Sequence, residues 1–142
     1  ALGRMSPAAA TALPALEALL KDDEDDGVRW GAAEALGNLG RPCSAGALAD
    51  VLSDKDEDVR SCAAMALSKL GADAIGVDAI LLIADLLSDR QWNVRFAALD
   101  GLARLGTGAS FLAHNVEKLL SDCHPRVSRA AGATLKRLQG HA

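Results

Sequence analysis

The chain has 142 residues, half of them apolar, and 19 acidic against 15 basic side chains leave a net charge of −4. Two Trp, two Phe and no Tyr leave the apolar half to Ala, Leu and Val, which suits closely packed helices and argues against a strand-rich fold. The acidic balance counts against a general nucleic-acid binder, which draws non-specific affinity from neutralising phosphates, and no apolar run approaches the ~18 residues of a membrane span.

Cys43, Cys62 and Cys123 are odd in number and far apart. They form no Cys-x-x-Cys pair and no zinc-spaced cluster with histidine. The composition therefore predicts a soluble, intracellular, all-α protein with free thiols, no metal and no cofactor.

In chain order, residues 1–6 open with Ala1-Leu2-Gly3-Arg4-Met5, which reads like the later Ala35-Leu36-Gly37-Asn38-Leu39. This predicts the tail of a preceding repeat, and hence a chain that is part of a longer array or a larger complex. From Leu13 to Leu20 an amphipathic stretch leads through Leu20-Lys21-Asp22 and an acidic turn to Val28. The same order returns three times, with first stretches at Ala45 to Leu52, Ile80 to Leu87 and Leu112 to Leu120. These three close on Leu-Ser-Asp, at Asp54, Asp89 and Asp122. The apolar run Ala79 to Ala84 predicts one buried helix.

Each second segment starts at a valine: Val28, Val59, Val94 and Val127, spaced 31, 35 and 33 residues apart. At offsets 0, 4, 8 and 11 stand Val28/Ala32/Leu36/Leu39, Val59/Ala63/Leu67/Leu70, Val94/Ala98/Leu102/Leu105 and Val127/Ala131/Leu135/Leu138. Steps of four, four and three draw one buried stripe on an α-helix. Asp25 and Asp56 stand three residues before their valines, where a carboxylate caps free helix N–H groups. Pro125 stands at a first helical position, and Gly40, Gly71 and Gly106 follow the helices as left-handed C-caps do. The unit is helix A, turn, helix B, glycine. One hairpin cannot bury its own apolar face, so four must stack. The expected boundaries are 7–40, 41–71, 72–106 and 107–142.

The pattern Asp-x-x-Val-Arg-x-x-Ala-Ala-x-Ala-Leu-x-x-Leu-Gly, clearest at Asp25 to Gly40 and Asp56 to Gly71, resembles HEAT-like repeats, in particular the short subtype named for phycobilisome lyases. The resemblance implies an α-α superhelix of about four hairpins with eight main helices. It also implies a structural role for the Asp and Arg. The third repeat has Gln91 in place of the Asp, and the fourth has His124 there and Ser128 in place of the Arg, which suggests a drifting last repeat.

In HEAT-type superhelices helix B generally lines the concave surface. Positions two, six and ten after each valine then point outward. They hold Trp30, Ser61, Phe96 and Arg129; Glu34, Met65, Asp100 and Ala133; and Asn38, Lys69, Arg104 and Arg137. Aromatic and Arg side chains are favoured interface anchors. The candidate partner-binding set is Trp30, Glu34, Met65, Lys69, Phe96, Asp100, Arg104, Arg129 and Arg137. The competing reading is that Trp30 and Phe96 pack over neighbouring helices and that the basic row is ordinary charge near helix C-termini. Trp92, in a helix A–B turn, is either a contact point or a lid over the local core.

The run Asp22 to Gly27 resembles the start of a calcium loop, but Ala33 stands where the twelfth-position carboxylate is needed. It reads as a solvated turn. His114, His124 and His141 lack a partner at catalytic spacing, and the adjacent Cys123-His124 point in different directions. No Gly-rich phosphate loop and no His-Glu dipeptide, as in the HEAT-like deoxyhypusine hydroxylase, occurs. The leading expectation is a non-catalytic scaffold that binds a protein partner on the helix-B face. The alternatives are a bilin lyase or chromophore-handling subunit, or a nucleic-acid binder like the HEAT-like DNA glycosylases.

Overall fold

The computed structural model describes residues 7–140, so the expected repeat tail at residues 1–6 lies outside the described residues, as does His141. Eight α-helices follow one another: α1 (Pro7–Asp22), α2 (Asp26–Leu39), α3 (Ala45–Asp50), α4 (Glu57–Leu70), α5 (Ala72–Asp85), α6 (Trp92–Leu105), α7 (Ala113–Glu117) and α8 (Pro125–Leu138). No strand occurs among the described residues. The fold is all-α, and its odd-numbered and even-numbered helices pair as the A and B arms of four hairpins.

Two layers result. In one, α2 packs on α4, α4 on α6 and α6 on α8; in the other, α1, α3, α5 and α7 each cover their own B helix. The core runs along the seam between the layers. Val59, Ala63, Leu67, Val94, Ala98, Leu102, Val127 and Ala131 have essentially no exposed surface, as the valine stripe predicts.

The stripe fails in α2, where Val28 is 38% and Leu39 39% exposed. Among the described residues α2 has a helix-B neighbour on one side only, so the ends of its stripe stay uncovered. The run Ala79 to Ala84 also departs from expectation. Ala79, Ile80 and Ile83 are buried, but Leu81 and Leu82 are exposed, because a single helix cannot turn every side of itself toward one neighbouring layer.

Helix ends follow local chemistry. Asp25 Oδ1 accepts from the N–H groups of Gly27 and Val28 at 2.8 and 3.3 Å, and Asp56 Oδ1 does the same for Asp58 and Val59 at 2.9 and 3.1 Å. Gln91 has the same extended backbone but makes no side-chain cap. His124 caps through Nδ1, 3.3 Å from the N–H of Arg126. Gly40 is left-handed at φ 64, ψ 30; Gly71 and Gly106 have positive φ but ψ values of 152 and −135, outside that region. Short 3-10 turns at Val51–Ser53, Leu86–Ser88 and Lys118–Ser121 tighten the exits of the A arms.

The recurring Arg and Asp join into a ladder. Arg29 forks onto Asp54 with Nε and Nη2 at 2.9 and 3.0 Å, Arg60 onto Asp89 at 2.9 and 3.1 Å, and Arg95 onto Asp122 at 2.9 Å for both. Each Nη1 also donates to two carbonyls of the turn before its own helix, as Arg60 does to Asp54 and Lys55. Every arginine thus staples its own turn to the turn of the next hairpin, a bidentate geometry that guanidinium suits. In the first hairpin Asp23 takes the place of Asp54: its Oδ1 accepts from the N–H of Asp25 at 2.8 Å. That is one residue later than the Leu-Lys-Asp alignment gives, because α1 runs on to Asp22. Ser128, standing where the arginine would be in α8, bonds back to the Pro125 carbonyl at 3.1 Å.

Candidate helix-B interface

Successive B helices approach closely because small residues face each other. A Cβ added at Gly37 of α2 would lie 2.7 Å from Ala66 Cβ of α4, and Gly101 of α6 faces the Ala64 carbonyl and Ser68 of α4. Thr134 of α8 donates to the Leu99 carbonyl of α6 at 3.1 Å. This layer holds its outer side chains in fixed rows.

Trp30 and Phe96 are 41% and 38% exposed. Glu34, Lys69, Arg104, Arg129 and Arg137 are also exposed, and Met65 and Asp100 are half-buried. These nine residues line two hollows that share α6. One, of about 340 Å³, is lined by Trp30, Glu34, Met65, Lys69 and Arg104 together with Asp58. The other, of about 860 Å³, holds Phe96, Asp100, Arg129 and Arg137 together with Arg126 and Lys136.

Asp58, Arg126 and Lys136 belong to the same surfaces although a row of every fourth residue does not reach them. They stand one residue before Val59 and Val127 and nine after Val127. A helical face about 100° wide takes in such flanking positions.

Lys69 donates to Asn38 Oδ1 at 2.9 Å, tying two residues of the tenth-position row. Asn93 Nδ2 lies 3.4 Å from Asp58 Oδ1. Cys62, on the floor between α2 and α4, points its thiol at the Trp30 carbonyl, 3.6 Å away. Burial, reinforced by Glu34, pushes that thiol up to about 11, so it is protonated and unreactive at neutral pH.

Trp92 opens α6 and packs against the core as a partly buried residue. Its ring stacks on His124 at 4.0 Å and 2°, meets Phe96 edge-on at 6.5 Å, and carries the Arg126 guanidinium 5.7 Å above it. Trp92 is thus a lid whose ring is covered by the following hairpin. Its aromatic cluster orients Phe96 and Arg126 at the rim of the larger hollow.

The two hollows differ in charge. Of the 19 acidic residues, 16 fall in residues 1–89 alongside seven basic ones; residues 90–142 hold eight basic and three acidic. The ladder carboxylates lie apart from this surface. Burial alone would raise Asp54, but the Arg29 fork and the Asp56 N–H outweigh it and hold the carboxyl below the ordinary range. The Arg95 hydrogen bonds lower Asp122 against opposing burial. These groups serve the fold.

Among the described residues no group of three or more His, Cys, Asp or Glu side chains could hold a metal ion, and no helix is long and apolar enough to cross a membrane.

Comparison with known proteins agrees with this architecture. A family model described as HEAT repeats matches residues 13–80. The solved complex of CpcE and CpcF of phycocyanin lyase from Nostoc sp. PCC7120 contains a similar chain, with a TM-score of 0.77 and 26% identity over 93% of the present chain. An engineered protein superposes with a TM-score of 0.70 and 25% identity over 92%, and a second, at 24% identity and a TM-score of 0.68 over 94%, shares the fold. The present chain spans 54%, 64% and 39% of the lengths of these three chains. No curated protein matches it.

Proposed function

We propose that this HEAT-like repeat array is a non-catalytic scaffold that holds a protein partner on its helix-B face. The observation that carries the reading is the convergence of exposed Trp30 and Phe96 with the charged rows on two hollows sharing one helix. Exposed aromatic and Arg side chains beside concave surface are the usual anchors of an interface. Four hairpins at roughly 10 Å each provide about 40 Å of surface, enough for about 800 Å² per partner. The similar chain in the CpcE–CpcF structure is itself part of a two-protein complex, which supports a protein partner here.

The test is affinity capture with quantitative mass spectrometry, using wild type, Trp30→Ala/Phe96→Ala, and Leu81→Ser/Leu82→Ser on the exposed side of α5. Partners lost only with the first pair support the helix-B face. Loss only with the α5 pair moves the interface to the A layer.

A second reading, a chromophore-handling lyase subunit, draws on the likeness to phycocyanin lyase. It requires an absorbance shift when a linear tetrapyrrole is mixed with the protein. An unchanged spectrum removes it.

A further inference from the structure

The helix-B face changes sign along its length. At the α2–α4 end, a third hollow is lined by Trp30 with Asp26, Asp56 and Asp58. The next hollow mixes Glu34 and Asp58 with Lys69 and Arg104. At the α6–α8 end Arg126, Arg129, Lys136 and Arg137 line the hollow with Asp100, its one carboxylate. None of these four cations makes an ion pair among the described residues. Unpaired like charges around a concavity focus potential into it and attract the opposite charge. In a chain of net charge −4, this cationic end is a local reversal of sign. Each end also carries one exposed aromatic ring, Trp30 or Phe96.

Resting on the scaffold reading above, we propose that the occupant of this face is an extended, charge-polarised polypeptide segment. Its acidic stretch lies on the Arg126, Arg129, Lys136 and Arg137 cluster, its basic stretch faces Glu34, Asp56 and Asp58, and apolar side chains between them rest on Phe96 and Trp30. A uniformly charged strand does not fit. A nucleic acid long enough to follow the face would lay phosphates on Asp26, Glu34, Asp56 and Asp58, and like-charge juxtaposition is strongly unfavourable. A polypeptide of about 12 residues in extended form spans the ~40 Å available.

The test is fluorescence anisotropy at low salt with three labelled probes of about 12 units: a peptide with a glutamate block, a Leu/Trp centre and a lysine block; a peptide of the same composition with alternating charges; and a thymidine oligonucleotide. The block peptide is expected to bind about tenfold more tightly than either other probe, with affinity falling as salt rises. Arg129→Glu/Arg137→Glu should lower that affinity about tenfold, and Arg129→Lys/Arg137→Lys should retain most of it. Circular dichroism checks that these exposed substitutions leave the helices intact. Equal binding of the alternating peptide, stronger binding of the oligonucleotide, or an unchanged affinity in the charge-reversed variant overturns the inference. If Trp30/Phe96-dependent capture of a protein persists while the block peptide does not bind, the scaffold reading stands and this inference alone falls.

Discussion

Arg60 and Asp89, 29 residues apart in sequence, meet in a two-pronged ion pair at 2.9 and 3.1 Å, with both side chains largely removed from solvent. The guanidinium also closes the Asp54 and Lys55 carbonyls of its own turn. One side chain therefore sets both the shape of a turn and the seating of the next hairpin. Arg60→Met leaves Asp89 unpaired and should lower stability by about 3 kcal/mol, read as the urea midpoint. Arg60→Met/Asp89→Leu should recover only part of that loss, since it leaves no unpaired charge but takes the partners from the Asp54 and Lys55 carbonyls and the Gln91 N–H.

Acid should weaken the array through the same ladder. Asp54 and Asp122 are both held below the ordinary carboxylate value of 3.8. A lowered folded-state value means that the native state keeps its carboxylates charged after the unfolded chain has taken up protons. Their stabilisation is complete above 3.8 and is lost as pH falls through their lower folded values. Denaturation midpoints measured between about pH 5 and pH 2 should fall steeply, and Asp54→Asn/Asp122→Asn should flatten that slope while lowering stability at neutral pH.

Two glycines in the same helix should respond in opposite directions. A side chain at Gly37 would collide with Ala66, at 2.7 Å from its Cβ and 2.8 Å from its Cα, whereas nothing lies within 4 Å of a Cβ at Gly31. Gly37→Val should cost about 1–3 kcal/mol by forcing α2 from α4. Gly31→Ala should gain about 0.5–1 kcal/mol from helix propensity. Thermal melts of the two variants check the contrast.

Position 91 lacks a cap that its backbone is ready to receive, with φ −89 and ψ 128 close to the −91 and 130 of Asp56. Gln91→Asp should stabilise α6 by about 0.5–1 kcal/mol. Leu67→Ala, at a fully buried position, should cost about 2–5 kcal/mol. Chemical denaturation at neutral pH reads both.

The hairpin array was legible in the sequence because its signals are local. A stripe at offsets 0, 4, 8 and 11, an Asp three residues before the valine and a glycine after the helix each act within one or two turns. The pairing of the ladder was not legible. Arg and Asp recur in every unit, but which Asp meets Arg60 depends on how hairpins stack. The Trp92–His124 stack likewise needs the register between two hairpins. Leu81 and Leu82 lie in an unbroken apolar run, which carries no period to say which side faces the core. For the interface, the rows through Trp30, Lys69, Phe96 and Arg137 followed from helical spacing. Arg126 and Lys136 fall off those rows, and only the groove between α6 and α8 brings them in.

The half-buried thiol of Cys62 turns the hollow between α2 and α4 into something that can be timed. Only a thiolate reacts with an alkylating agent, and this one is scarce at neutral pH because burial and Glu34 push its thiol up to about 11. Cys43 and Cys123 are exposed and give an unhindered reference rate within the same molecule. The ratio of the rates reads how open the floor of that hollow is, and a ligand lying across Trp30 and Lys69 should lower it without touching the sulfur.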